Sequence, residues 1–323
     1  MILVLRALGI GDLATAVPAL RGLRRAHPDR PLVLAAPDWL APLARLTGCV
    51  DRLVPVAGLE DRDGRGLARR LGSPPYWAVN LHGRGPESHR LLGRATGAPL
   101  RAFACPQAGH RDGPAWSADE HEVRRWCRLL DWYGVPSDPD DLDLPRPGSA
   151  GVPRGVTVLH PGAKEPARRW SAGRFAAVAR ELDRLGHRVV VTGSPAERDL
   201  AGGVAEAAGL PPGAAVTGLD LPALAALIAH ARLLVSADTG VAHLATAYRT
   251  PSVVLFGPVR PDHWGPPAGR PWHRVLWAGP ADRAGTAERL HPALAAICPD
   301  EVLAAVADVD RRTRPDPAMA GRD

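Results

Sequence analysis

Residues 1–6 are apolar as far as Arg6, after which Leu13, Val17, Leu20 and Leu23 recur at helical spacing up to His27 and Pro28. The first stretch reads as a buried strand and the second as an amphipathic helix. The alternation continues with strands at 32–34, 53–54 and 76–81, helices at 39–46 and 88–94, and a longer helix at 120–133. From 134 to 155 the pattern gives way to Pro136, Pro139, Pro145, Pro147 and Pro153 among acidic residues, the composition of a linker. It then restarts, with strands at 156–159, 188–191, 233–235 and 251–256 and helices at 172–185, 196–207, 221–230 and 300–308. Val241, Leu244, Ala245 and Tyr248 mark one more helix, and residues 311–323 read as a frayed tail.

Strands separated by helices predict parallel sheets with right-handed crossovers. The expected fold class is α/β, with two Rossmann-like doubly wound domains facing a cleft and ligands at strand C-terminal ends. The expected domains are 1–150, with a linker at about 134–155, and 151–310, followed by the tail 311–323.

Length supports two domains, since 323 residues exceed what one core usually organises. Net charge is +6, but the arginines are scattered, without the basic stripe and interleaved aromatics that nucleic-acid binding needs, so no nucleic-acid partner is expected. Of 40 basic residues one is a lysine, Lys164. The four cysteines show no CxxC pairing, which suggests neither a zinc site nor a disulfide framework and fits a reducing cytoplasm. No run approaches the roughly 18 apolar residues of a membrane span. A cytoplasmic protein is expected, and work at the inner face of the membrane is compatible with it.

Three strand ends in the second half carry polar groups: Gly162, Ala163, Lys164 and Arg168 after the first, Glu197 after the second, and Asp238, Thr239 and Gly240 before the helix that bears His243. A helix start offers unpaired N–H groups and the positive end of its dipole to an anion. With Lys164 and Arg168 as cations and Glu197 as an acceptor for ribose hydroxyls, these loops suit a nucleoside diphosphate. Helix capping by Asp238 or Thr239 is the simpler alternative. In the first half, Asp12 in a glycine-rich turn could accept a proton from a hydroxyl nucleophile, and Gly11, His82 and Arg84 could hold an acceptor. Trp170 and Trp264 adjoin these loops and could pack on a sugar or base or serve the core.

Two matches point elsewhere. Gly9-x-Gly11-x-x-Ala14, with Asp38 further on, has the form of a dinucleotide fingerprint and would make the chain an NAD(P)-dependent oxidoreductase. Against this, Asp12 would confront a pyrophosphate with like charge. Asp238-Thr239-Gly240 has the form of an aspartic-protease triplet, but that chemistry needs a second such carboxylate and the chain has no second triplet. A non-catalytic nucleotide-binding protein is the remaining alternative.

Jointly, Gly9-Ile10-Gly11-Asp12 with Pro18-Ala19-Leu20, Leu81-His82-Gly83, His160-Pro161-Gly162-Ala163 through Arg168-Arg169-Trp170, Thr217-Gly218, and Ser236-Ala237-Asp238-Thr239-Gly240 with His243-Leu244-Ala245 resemble the heptosyltransferase-type glycosyltransferases of family 9. The resemblance implies a GT-B fold, a nucleotide-sugar donor on the C-terminal half, a glycan, glycolipid or small-molecule acceptor on the N-terminal half, and inversion without an obligatory metal or other cofactor. It favours an ADP-linked heptose or similar sugar. Asp12 resembles the family's catalytic base; Thr239, Gly240 and His243 match its diphosphate turn, and Glu197 its nucleoside contact. The chain departs from the family at Arg168, where lysine is usual.

Overall fold

The computed structural model describes residues 1–61, 63–149, 151–279 and 289–313. The chain divides into two compact units, Met1–Pro145 and Arg146–Asp323.

In the first unit β1 (Ile2–Leu5), α1 (Ile10–Ala26), β2 (Leu32–Ala36), α2 (Ala41–Leu46), β3 (Arg52–Pro55), α3 (Arg65–Leu71), β4 (Trp77–Asn80), α4 (Glu87–Thr96), β5 (Leu100–Arg101) and α5 (Glu122–Trp132) follow one another. Their parallel sheet has the order β3-β2-β1-β4-β5. Leu3 and Leu5 pack with Val33, Ala35 and Ala78 against Leu67 and Leu71 of α3 and Leu91 and Leu92 of α4. Ile2 and Val4 point to the opposite face and are buried there as well. A strand covered on both faces has to be apolar at every position, which is why β1 reads as a continuous apolar run.

The second unit contains β6 (Thr157–His160), α6 (Ala172–Arg184), β7 (Val189–Gly193), α7 (Arg198–Ala208), β8 (Ala215–Thr217), α8 (Leu221–Ala229), β9 (Leu233–Ala237), α9 (Gly240–Ala247), β10 (Ser252–Phe256), α10 (Pro261–Trp264), β11 (His273–Trp277), α11 (Pro292–Ala296) and α12 (Pro299–Thr313). Its parallel sheet runs β11-β10-β9-β6-β7-β8. One face is sealed by Phe175, Val178 and Leu182 of α6, Val204 of α7, and Val302, Val306 and Val309 of α12.

Each sheet reverses direction once. In the first unit the chain leaves β1 for β2 and β3, then returns to add β4 on the other side of β1; Leu5 lies beside Asn80. In the second it leaves β6 for β7 and β8 and returns to β9, so that His160 lies beside Ser236. Loops diverge at such a reversal and leave a crevice at the strand C-terminal ends, where ligands of doubly wound sheets bind.

Several expectations need correction. Helix α1 begins at Ile10, so Asp12 occupies its first turn and not a preceding loop. Residues 134–145 are no free tether: Val135, Leu142 and Leu144 are buried, Leu142 packs on Val123 and Cys127, and the Asp141 carboxylate pairs with Arg21 and Arg25 of α1. The frayed tail was placed too early, because α12 continues to Thr313 with Arg311 and Arg312 paired to Asp308; its remainder, 314–323, lies outside the described residues. Helix α3 and the strands β5, β8 and β11 have no counterpart in the sequence reading. Three of them are short, and β8 and β11 are only partly buried, so their apolar signal is weak.

Candidate active site

The reversal in the second unit brings together the loop after β6 and the turn after β9. Thr239 is the N-cap of α9, but its side chain makes no capping bond, and its hydroxyl donates instead to the Ala237 carbonyl at 3.3 Å. Nor does Asp238 cap the helix. Its carboxylate, 5% exposed, accepts from Arg168 Nη1 at 3.1 Å and lies 3.9 Å from His243 Nε2. Burial pushes the Asp238 carboxyl above the usual carboxylate range, while His243 and Arg168 pull it back. Among the described residues no side chain therefore caps the helix start at Gly240, and a cation is tethered at its edge. This arrangement is suited to an anion, and the simple capping alternative does not hold.

Arg168 ends a short 3-10 turn, with Nε also 3.4 Å from Glu165. Lys164 is exposed and makes no hydrogen bond or ion pair among the described residues. Arg168, and not the lone lysine, is the cation that the structure ties to the turn. Gly162 and Ala163 are buried; the Ala163 carbonyl accepts from Arg169 Nε at 2.7 Å. Glu197, after β7, accepts from the Ser194 N–H at 2.9 Å and lies over Gly162, where a Cβ would come within 2.3 Å of its carboxyl carbon. A side chain at 162 would therefore displace the Glu197 carboxylate. Trp170 belongs to the core, 1% exposed, with Nε1 donating to the Ile297 carbonyl at 3.1 Å. Trp264 sits edge-on to His243 with ring centroids 5.7 Å apart.

In the first unit, Asp12 and His82 come from the neighbouring strand ends of β1 and β4. Asp12 Oδ2 accepts from the Gly9 N–H at 3.0 Å, the return half of a capping box; glycine has no side chain to supply the other half. Its side chain remains 28% exposed, open to a substrate. The same carboxylate would confront a pyrophosphate at this helix start with like charge, which counts against the dinucleotide reading. His82 Nδ1 accepts from the Ala7 N–H at 3.2 Å. Burial, helped by Arg6 and opposed by Asp12, pushes the His82 pKa down to about 4. The ring is neutral at pH 7, and with Nδ1 accepting, the proton sits on Nε2. Gly11 is buried in the first turn of α1. Arg84 is exposed on the loop after β4 and is not drawn into this group among the described contacts.

The sequence reading missed Arg6 and Glu122. Arg6 is 1% exposed at the end of β1 and Glu122 is 5% exposed at the start of α5, 2.9 Å apart and joined to Asp12 through the guanidinium. The signal available was a charge closing an otherwise apolar strand. Its partner, 116 residues away, leaves no local mark.

A sequence model described as glycosyltransferase family 9 (heptosyltransferase) matches residues 117–299. Lipopolysaccharide heptosyltransferase 3 of Escherichia coli is 36% identical over 136 residues, 40% of this chain and 38% of that protein, so the matched stretch spans well under half of its length. Lipopolysaccharide heptosyltransferase 1 of Pseudomonas aeruginosa is 28% identical over 291 residues, 82% of this chain and 80% of its own. Among solved structures, E. coli ADP-heptose lipopolysaccharide heptosyltransferase II superposes with a TM-score of 0.75 at 23% identity, covering 97% of this chain and 99% of that one. At that identity the superposition establishes the GT-B fold alone.

Proposed function

Because the chain belongs to glycosyltransferase family 9, we propose that this enzyme moves a heptose or similar sugar from an ADP-linked donor to a hydroxyl of a lipopolysaccharide core or related glycan, with inversion and without an obligatory metal. The observation that carries the reading is the α9 start, left without a side-chain cap beside the tethered Arg168. In this reading the unit 146–323 binds the donor. The Gly240 end of α9 and Arg168 meet the diphosphate, His243 adds a donor at its edge, and Glu197 accepts from the ribose hydroxyls. The unit 1–145 binds the acceptor, with the His82 Nε2–H and Arg84 as donors to its oxygens. A glycolipid acceptor would bring the enzyme to a membrane surface; among the described residues no helix is long and apolar enough to cross one.

In the transfer, the acceptor oxygen forms its bond to the anomeric carbon as the bond from that carbon to the diphosphate breaks, and the departing electron pair goes to the β-phosphate oxygen. The hydroxyl proton passes to the partly exposed Asp12 carboxylate. A single displacement inverts the centre. Charge gathering on the leaving diphosphate is met by the guanidinium and by amides already aligned, which need no reorganisation as the reaction proceeds.

Asp12→Asn tests the base. Turnover should fall by about 100-fold to 10,000-fold while ADP affinity, measured by calorimetry, stays unchanged; unimpaired turnover removes Asp12 from that role. Transfer should also persist after exhaustive chelation, and activity lost to a chelator and restored by one metal refutes metal independence. Thermal stabilisation by ADP over UDP and GDP tests the base preference.

A further inference from the structure

The Arg6 guanidinium is spread over several acceptors. Nε donates to the Asp12 carbonyl at 2.9 Å and Nη1 to the Leu81 carbonyl. Nη2 donates to Glu122 Oε1 at 2.9 Å and lies 3.4 Å from both Asp12 Oδ1 and Thr15 Oγ1. Its face rests on Trp126, with Cζ 4.7 Å from the ring centroid. Glu122 Oε1 also accepts from Trp126 Nε1 at 2.9 Å, and Oε2 pairs with Arg125. The closest charged contact of Arg6 is therefore with Glu122. Its contact with Asp12 is longer than the roughly 2.7–2.9 Å of a full charge-assisted bond.

The charges balance. Arg6, Arg125 and Arg128 face Asp12, Glu122 and Glu120, with Glu120 4.0 Å from Arg125 and 2.7 Å from Arg128, and His82, the other titratable group near Asp12, is uncharged at neutral pH. A buried guanidinium aimed at Asp12 with no counter-charge would hold the carboxylate in place but make it a poor proton acceptor. Sharing that guanidinium with Glu122 keeps the aim and reduces the pull.

We propose that Glu122 is a positioning residue for the transfer reaction: through Arg6 it fixes the direction of the Asp12 carboxylate while leaving its Oδ1 oxygen, held by Arg6 only at 3.4 Å, able to take the acceptor proton. The inference rests on Asp12 being the base and adds that a glutamate on α5 sets how strong a base it is.

The test is the pH dependence of kcat, with ADP-heptose as donor and lipopolysaccharide truncated in its core as acceptor. Glu122→Gln keeps an oxygen for Trp126 Nε1 but puts the whole Arg6 charge on Asp12. The acidic limb should move down by about half to one pH unit and plateau kcat should fall about 3-fold to 10-fold, with KM for the donor within about twofold. The double variant Arg6→Met/Glu122→Gln removes the pair, leaves Glu120 at 4.0 Å as the carboxylate facing Arg125, and its limb should move up. Opposite displacements are not produced by a residue that merely holds the fold together, and the double variant decides the matter alone where Glu122→Gln does not fold. An unmoved or upward limb in Glu122→Gln, or an unmoved or downward limb in the double variant, with Asp12→Asn inactive, overturns this proposal. An active Asp12→Asn overturns the base reading beneath it.

Discussion

Arg168→Met removes the guanidinium held against the Asp238 turn and leaves its apolar stem in place. For a phosphate at the α9 start about 5 Å from the guanidinium, the Coulomb attraction sets the scale. At an effective dielectric near 20, suited to a side chain 31% exposed, that pair is worth about 3 kcal/mol. Transfer should therefore lose on the order of 100-fold in kcat/KM for the donor, at about 1.4 kcal/mol per tenfold. Because charge on the leaving diphosphate grows along the reaction, a larger share should fall on kcat than on donor affinity. Arg168→Lys keeps the charge but loses the two-pronged geometry that reaches Asp238 and a phosphate together, so it should recover part of the activity. Lys164→Ala, at an exposed side chain without bonded partners among the described residues, should change kcat/KM by less than about twofold. Steady-state kinetics with ADP-heptose, paired with calorimetric binding of ADP, separates these outcomes. Should Arg168→Met retain more than a third of wild-type kcat/KM while Lys164→Ala collapses it, the assignment of the phosphate cation is wrong and the lone lysine takes the role.

Gly162→Ala would push the Glu197 carboxylate off its seat, and ADP affinity should fall about 10-fold while inorganic pyrophosphate affinity holds; equal losses for both ligands count against Glu197 as the ribose contact. Asp238→Asn should raise thermal stability at pH 7.5 and impair transfer. The folded-state pKa of Asp238 is raised by burial, so its contribution to stability is present at low pH and lost as pH rises through that pKa. The gain should vanish by about pH 3, and a gain that persists there refutes the argument. His273 is buried and its pKa is pushed down to about 3 from 6.5, chiefly by burial. Unfolding must then take up a proton, so stability should fall as pH drops below 6.5, by on the order of 5 kcal/mol once the folded form also titrates. Denaturant melts of His273→Gln between pH 4 and 7 should show a shallower loss; a slope equal to that of the wild type contradicts it.

Legibility differed between backbone and side chains. The alternation of apolar strands and amphipathic helices was readable because a strand buried on both faces must be almost wholly apolar, as in β1 and, apart from Ser236 and Ser252, in β9 and β10. The motif residues were readable as loop positions for the same reason: they interrupt such runs. What Asp238 does was not readable. Capping and anion binding call for the same residue types in the same order, and only the placement of Arg168, 70 residues earlier, decides between them. The proline-rich stretch misled because composition reports backbone stiffness, whereas the burial of Leu142 depends on what Val123 and Cys127 of α5 present to it.

By itself the chain determined two doubly wound halves, the strand ends that carry polar groups, and the family to which their joint pattern belongs. The folded molecule alone decided which of those groups meet. The order in which strands add to a sheet puts the loops after β1 and β4, and those after β6 and β9, side by side. Contacts such as Arg6 with Glu122 are made between residues more than a hundred positions apart, and short-range pattern carries no information about them.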